Sequence, residues 1–234
     1  MIMFKKIVFL LRSRAPLKIF IVFLLSKISN IFIKKKIIKK KRSHQLVLKN
    51  KKITNDYFSA HAYNFYHYLN KLKYTFNYLE IGSYEGNSAI FIASQFKSAK
   101  INCVDNWTST EEYIDHISFS RVEENFNFNV KSYKNINKIK KSSDEFFKNN
   151  TEIFDVVYVD GHHLGSQVFK DCKNAWQILN NNGYLICDDY IWEFYSNINE
   201  NPCYAINNFL KTINGSYKVE KVTNSQIFIK KING

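Results

Sequence analysis

Apolar residues recur along this chain with two different periods, and the switch between them marks out its elements. Over residues 17–34 the period is helical. Leu17, Phe20, Ile21, Leu24, Ile28, Ile31 and Phe32 fall on one face at three-four spacing, and Lys18, Ser26, Lys27, Ser29, Asn30 and Lys34 on the other. A helical, aromatic-rich pattern returns over Asp56–Tyr74. Beyond it, continuous apolar runs of the kind that fill a parallel sheet alternate with helical stretches. The runs are Phe76–Ile81, Ile101–Asp105, a less defined one near Lys131–Ile139, Ile153–Asp160 and Gly183–Tyr190. Helices are predicted over Asn87–Phe96, over Glu111–Phe128 flanking an acceptor pocket, and over a segment with Leu164, Val168, Cys172, Ala175 and Leu179 on one face. That last helix should stop at Asn180–Gly183, where Gly183 can turn left-handed. Tyr217–Val222 and Gln226–Lys231 pattern as a closing antiparallel pair. Strands alternating with helices predict an α/β fold: a doubly wound, mostly parallel sheet with an antiparallel C-terminal strand and an N-terminal helical arm.

Charge sharpens the division between arm and body. Residues 1–55 hold 16 of the 34 Lys/Arg and no Asp or Glu, so residues 56–234 carry 18 basic against 20 acidic residues, or −2. The net charge of +14 therefore belongs to an arm, residues 1–53, and not to a folded body over 54–234. A body acting on nucleic acid would spread basic residues around its cleft, so no nucleic-acid partner is expected. The four cysteines, Cys103, Cys172, Cys187 and Cys203, lack metal-type or CxxC spacing and read as reduced, buried thiols of a cytoplasmic protein.

The apolar-faced helix runs into KKKIIKKKR (Lys34–Arg42), a combination that suits the inner, anionic face of a membrane, with residues 1–42 lying in the interface. Packing of the helix on its own domain or a partner is the alternative. A true span is least favoured, because the uncharged run Ile19–Ser26 is far short of the ~20 residues a bilayer requires. No small-x-small site follows the apolar stretch, which disfavours a cleavable signal peptide.

The chemistry should lie where the strands end, because ligands of open α/β sheets bind at their carboxyl edges. Acidic residues collect there: Glu80, Asp105, Asp160 and the pair Asp188–Asp189. In YLEIGSYEGNS (Tyr78–Ser88), Gly82 and Gly86 let the backbone turn and approach a ligand closely. The spacing is E-x-G-x-x-x-G, not the G-x-G-x-x-G of a pyrophosphate site, and a sulfonium-bearing, phosphate-free cofactor suits it better. Asp105, 19 residues beyond Gly86, stands where a carboxylate would bond both ribose hydroxyls. Asp160, Asp188 and Asp189 offer hard oxygen ligands suited to Mg²⁺, which would acidify and orient a substrate hydroxyl. The structural alternative is that Asp160 and Asp188 cap helices or pair with lysines. His162 and His163 follow Asp160 as candidate general bases, or as caps of the next helix.

Three segments together resemble the class I SAM-dependent methyltransferases, and within them the small-molecule O-methyltransferases of the catechol and macrocin types. They are YLEIGSYEGNSAIFIA, INCVDNW and FDVVYVDGHHLGSQVFKDCKNAWQILNNNGYLICDDY. The resemblance implies a Rossmann-like methyltransferase fold and assigns Glu80, Gly82, Ser83, Gly86 and Asp105 to S-adenosylmethionine (SAM). It adds Ser143, in the KKSSDEF segment matching the family's adenine loop, and Asp160; many relatives have Gly-Asp-Ser where this chain has Lys141-Ser142-Ser143. Metal-dependent members hold Mg²⁺ at positions matching Asp160, Asp188 and Asp189. His163 stands where the catechol type has a lysine base and His162 where the macrocin type has an aspartate, so either histidine is the candidate base.

The predicted function is SAM-dependent, Mg²⁺-assisted methylation of a hydroxyl on a sugar, another polyhydroxylated small molecule or a glycan, as in polysaccharide biosynthesis at the inner face of a membrane. A non-catalytic membrane-surface scaffold with the same fold is one alternative, and an RNA methyltransferase guided by the basic arm is another.

Overall fold

The computed structural model describes residues 2–72, 75–108 and 119–232. By contact the chain forms two compact units, Met1–Ile31 with Phe147–Gly234, and Phe32–Phe146. Each of them carries strands and helices.

The unit of residues 32–146 begins with the basic helix α3 (Lys34–Leu48) and the short helix α4 (Ala62–Leu69). Strands β1 (Asn77–Ile81), β2 (Lys100–Asp105) and β3 (Ile136–Lys140) follow, in the order β3-β2-β1, with every pair parallel. Helices α5 (Asn87–Gln95) and α6 (Phe119–Val130) lie between them in the chain, and α7 (Ser143–Asn149) begins after β3. The helix expected from Asp56 is only α4, because the residues before it form turns in which the Asp56 carboxylate accepts from the Ser59 amide at 2.9 Å. Of the helical stretch expected over 111–128, residues 111–118 lie outside the described residues, and α6 is the remainder. The side chain of His44 on α3 is buried edge-on against the rings of Phe58 and Phe91, 5.7 and 5.1 Å away, and its Nε2 lies 2.7 Å from Asn87 Oδ1.

The other unit holds β4 (Phe154–Val159), α8 (Gly165–Gln177), β5 (Leu179–Cys187), a short 3-10 turn at Ile198–Glu200, α9 (Pro202–Thr212), β6 (Tyr217–Val222) and β7 (Ile227–Lys231). The order is β4-β5-β7-β6, with β4 and β5 parallel and both pairings of β7 antiparallel. The architecture is thus α/β and mostly parallel, with an antiparallel C-terminal pair and N-terminal helices. All four cysteines are free and buried; Cys172 and Cys187 lie Sγ to Sγ at 3.6 Å inside the core.

The N-terminal helices α1 (Ile2–Arg12) and α2 (Leu17–Phe32) also belong to this unit as far as Ile31. Phe9, Leu10, Ile19 and Phe23 are buried. Ser26 Oγ accepts from the Val222 amide at 3.4 Å, Lys221 donates to Ser29 Oγ and Asn30 Oδ1 at 3.1 and 2.8 Å, and Asn207 donates to the Ser13 carbonyl at 3.0 Å. Helices α1 and α2 thus pack on the body of this unit through both buried apolar residues and polar bonds. No helix among the described residues is long and apolar enough to cross a membrane.

The left-handed residue after α8 is Asn182, with φ 65°, and not Gly183. Gly183 is required for a different reason: a Cβ there would lie 2.7 Å from the Asp155 carbonyl and 2.8 Å from that of Asn180. Gly183→Ala should therefore destabilise the protein by about 1–3 kcal/mol through overpacking, whereas Asn182→Gly should stay within about 0.5 kcal/mol. Urea unfolding midpoints of the two neighbouring variants check the assignment; equal losses would contradict it.

Candidate functional site

Two sets of strand ends carry the predicted residues, one in each unit. In residues 32–146, β1 enters a loop in which Gly82, Tyr84 and Gly86 all have positive φ, 86°, 46° and 81°. Gly86 begins α5 from the left-handed region, and a Cβ on it would press within 3.1 Å of Phe126 and Val130. Asp105 shapes this loop: its Oδ2 accepts the amides of Ser83 and Tyr84, each at 2.9 Å, and its Oδ1 accepts that of Trp107 at 2.7 Å. Trp107 itself sits at φ 50°, and its indole donates to the Tyr84 carbonyl at 2.9 Å. Burial pushes the Asp105 carboxyl up, and these amides hold it down.

Glu80 is fully buried one residue before the end of β1. The Tyr78 hydroxyl donates to its Oε2 at 2.9 Å, while Oε1 and the neighbouring Ser83 Oγ are buried without a hydrogen-bond partner. Desolvation raises its carboxyl to about 7, against the opposing pull of the Ser88 and Tyr78 hydroxyls. Two unsatisfied polar atoms beside a glycine turn are what a polar ligand would complete. They fit the amino-acid end and ribose of SAM, whose positive charge a carboxylate would favour.

Ser143 opens α7, and the residue before it pairs with Glu145. Ser142 N and Oγ both donate to Glu145 Oε2, at 2.9 and 2.8 Å, and the Glu145 amide returns to Ser142 Oγ at 3.3 Å. This is a reciprocal capping box, which accounts for Ser142 and Glu145 at the start of α7.

Sequence patterning missed the acid that braces the loop from behind. Glu85 is buried and accepts from Thr54 N and Oγ1, each at 2.6 Å, and from Asn125 Nδ2 at 2.7 Å. Asn129 bonds Lys52 N and O and the Glu85 carbonyl, at 2.6, 2.9 and 2.9 Å. Nothing in the spacing distinguishes Glu85 from a solvated turn residue.

In the other unit, β4 leads to Asp160 and β5 to Asp188–Asp189. Ligand atoms of Asp160, His163 and Asp189 lie within 4.8 Å of one another. His163 Nε2 is 2.9 Å from Asp189 Oδ2, and Asp189 reaches this position with φ 49°. Asp188 faces elsewhere: its Oδ2 accepts from Tyr158 Oη and from Gln226 Nε2, the latter at 2.8 Å, and its Oδ1 accepts the Asp189 amide at 2.8 Å. The converging set is therefore Asp160, His163 and Asp189, with Asp188 tied to protein donors behind it. His162 serves its own loop, with Nδ1 accepting the Leu164 amide at 3.0 Å.

Tyr158 Oη also lies 2.8 Å from Asp160 Oδ2. One hydroxyl proton cannot serve two carboxylates at once, so a second proton or a cation is needed between them. In keeping with this, burial and then repulsion from Asp188 and Asp189 push Asp160 well above the usual carboxylate range. Beside the cluster, the His163 ring meets Trp192 edge-on at 4.9 Å, and Trp192 stacks flat on the exposed ring of Phe194 at 4.8 Å. Buried Asn201 fixes this ledge: its Oδ1 accepts the amides of Phe194 and Tyr195 at 2.9 and 3.1 Å, and its Nδ2 donates to the Tyr195 carbonyl at 2.8 Å.

A family model described as a methyltransferase domain matches residues 79–190, from β1 to just past β5. No curated protein matches the chain. Among solved structures, a Klebsiella pneumoniae protein described as an O-methyltransferase shares 10% identity, covering 89% of this chain and 97% of that one, with a TM-score of 0.57. The MycE methyltransferase of the mycinamycin biosynthetic pathway, solved with Mg, SAH and mycinamycin VI, shares 15% over 83% of this chain and 55% of its own, at 0.56. A Staphylococcus aureus protein described as a caffeoyl-CoA O-methyltransferase shares 14%, covering 89% and 99%, at 0.54. At these identities the common property is the fold.

The raised Glu80 carboxyl has a measurable consequence. With about 7 in the folded chain against an ordinary 4.5, the native state holds the extra proton, so stability is fully present below pH 4.5 and lost as pH rises through 7. Glu80→Gln removes that dependence. Its stability relative to wild type should improve by on the order of 2 kcal/mol between pH 5 and pH 8; parallel unfolding curves at the two pH values would contradict the assignment.

Proposed function

We propose that the chain, whose residues 79–190 match a methyltransferase-domain model, is a class I SAM-dependent methyltransferase that methylates a hydroxyl oxygen of a sugar, another polyhydroxylated small molecule or a glycan. The observation that carries this reading is the convergence of Asp160, His163 and Asp189 beside the Trp192–Phe194 ledge. An acceptor with a ring and several hydroxyls matches both parts. Its apolar ring face suits a flat aromatic stack, and its oxygens suit the polar cluster.

The glycine loop and Asp105 hold the cofactor in this scheme, with Glu80 favouring its positive charge. An acceptor oxygen attacks the methyl carbon, the carbon–sulfur bond breaks with its electron pair remaining on sulfur, and S-adenosylhomocysteine leaves. The hydroxyl proton passes to the His163 imidazole. Asp189 fixes the ring through Nε2 and stabilises the imidazolium that forms. His162, engaged with the Leu164 amide, shapes the loop. Asp160 and Asp189 also suit a magnesium ion, which keeps waters for a substrate to displace; when bound, it would polarise the acceptor hydroxyl. The structurally similar MycE, solved with Mg and SAH, supports that part of the reading.

Calorimetry with S-adenosylhomocysteine is the first test, and absence of detectable affinity would sink the enzyme reading. On an active acceptor, His163→Ala should lower kcat by about 10²–10⁴-fold, and His162→Ala by less than about tenfold; the reverse ranking would exchange their roles. Asp189→Asn should abolish magnesium-stimulated turnover, whereas full wild-type activity in EDTA would refute the metal assignment.

A further inference from the structure

Helix α2 is inverted relative to an ordinary surface helix. Its side toward the body carries Ile19, Phe23 and Ser26 buried, with Lys27, Ser29 and Asn30 hydrogen-bonded to Asn224 and Lys221. Its outward side carries Leu17, Ile21, Leu24, Leu25, Ile28, Ile31 and Phe32, all exposed, with Leu17, Ile31 and Phe32 at 75%, 73% and 82%. Seven large apolar side chains on one helix face exceed what a lone surface helix leaves in water. Met3, Phe4 and Leu11 of α1 are exposed as well. One residue after α2, the chain enters α3, where Lys34, Lys35, Lys36, Lys39, Lys41 and Arg42 are all exposed.

We propose that the outward face of α2 docks on an anionic lipid surface, with the apolar residues entering the headgroup–acyl boundary and the basic run that follows in the sequence, Lys34–Arg42, supplying positive charge. Charge selects this occupant over a second copy of the chain. Residues 1–55 contain no acid, so a symmetric contact through this face would bring two strongly basic arms together. An anionic bilayer supplies the opposite charge and an apolar layer at once. The polar bonds on the inner side hold the helix on its body, so the face is presented already formed. The docking does not depend on methyl transfer.

Cosedimentation of the full chain with phosphatidylcholine vesicles, with and without phosphatidylglycerol, tests it. Wild type should bind the anionic vesicles and be released as salt is raised. The triple variant Ile21→Glu, Leu24→Glu, Ile28→Glu alters only exposed positions and should lose at least about tenfold in binding with an unchanged melting temperature. Replacing Lys34, Lys35, Lys36 and Lys39 by Gln should also cost at least about tenfold, each lysine near such a surface contributing roughly a fivefold factor. Wild type that stays with the supernatant, or a triple variant that binds as well as wild type, would overturn the proposal. So would equal binding to vesicles lacking phosphatidylglycerol. A wild-type dimer that the triple variant renders monomeric, without lipid binding, would reassign the face to a second copy. Affinity for S-adenosylhomocysteine, measured on the same variants, should not change, which keeps this test separate from the enzymatic one.

Discussion

Tyr78 and Tyr158 each set a hydroxyl against a desolvated carboxylate two residues further along the chain, Glu80 and Asp160, and both candidate regions are built on the demand of such an acid for a donor. An acid taken out of water without a donor costs several kcal/mol, so an acid at the end of a buried strand dictates what surrounds it. The spacing of two follows from the pleat, since residues i and i+2 share a face. Asp105 meets the same demand with backbone amides instead. To bring the amides of Ser83, Tyr84 and Trp107 onto one carboxylate, the chain holds Tyr84 and Trp107 at positive φ. Such conformations cost of order 1–3 kcal/mol each, and the buried acid is what holds them in place. The shape of this loop is thus set by the need to satisfy Asp105 as much as by Gly82 and Gly86.

Most of the strand framework was legible because buried parallel strands write themselves as continuous apolar runs. Phe154–Val159, Asn77–Ile81 and Lys100–Asp105 each fall within a residue or so of the apolar runs that predict them. Elements defined by polar bonding were not legible in that way. Helix α9 starts on Pro202 after buried Asn201, whose amide group is spent on the Phe194–Tyr195 loop. Helix α7 rests on the Ser142–Glu145 box. In the candidate site, the acids at strand ends could be named from spacing alone. Gln226, the partner of Asp188, could not, because it comes from a distant part of the chain, and neither could Glu85, which Asn125 and Thr54 reach from equally remote positions. Tyr158 was within reach of the sequence, since strand alternation places it on the face of Asp160.

The arm shows a different limit of periodicity. A helical repeat divides residues into two faces but does not say which face meets the body. For α2, burial of apolar area alone would have turned Leu17, Ile21 and Ile28 inward. The specific bonds of Ser26, Ser29 and Asn30 to β6 reverse that preference, together with Ile19 and Phe23, which fill the seam. Packing on the body and an apolar outer face are therefore not competing descriptions of this helix, and the structure contains both.

Asp188 and Asp189 show how adjacent, chemically identical residues come to differ. Asp188 leaves β5 with both oxygens already engaged, by Tyr158, Gln226 and the Asp189 amide. With its oxygens so engaged, its negative charge acts mainly on its neighbours. The turn to φ 49° at Asp189 sends the next side chain to His163 instead. One residue thus anchors the strand end, and the next presents its charge to the imidazole and to Asp160. The pairing of an inward acid with a left-handed successor makes the second acid available, and a simple count of aspartates at the strand end would miss it.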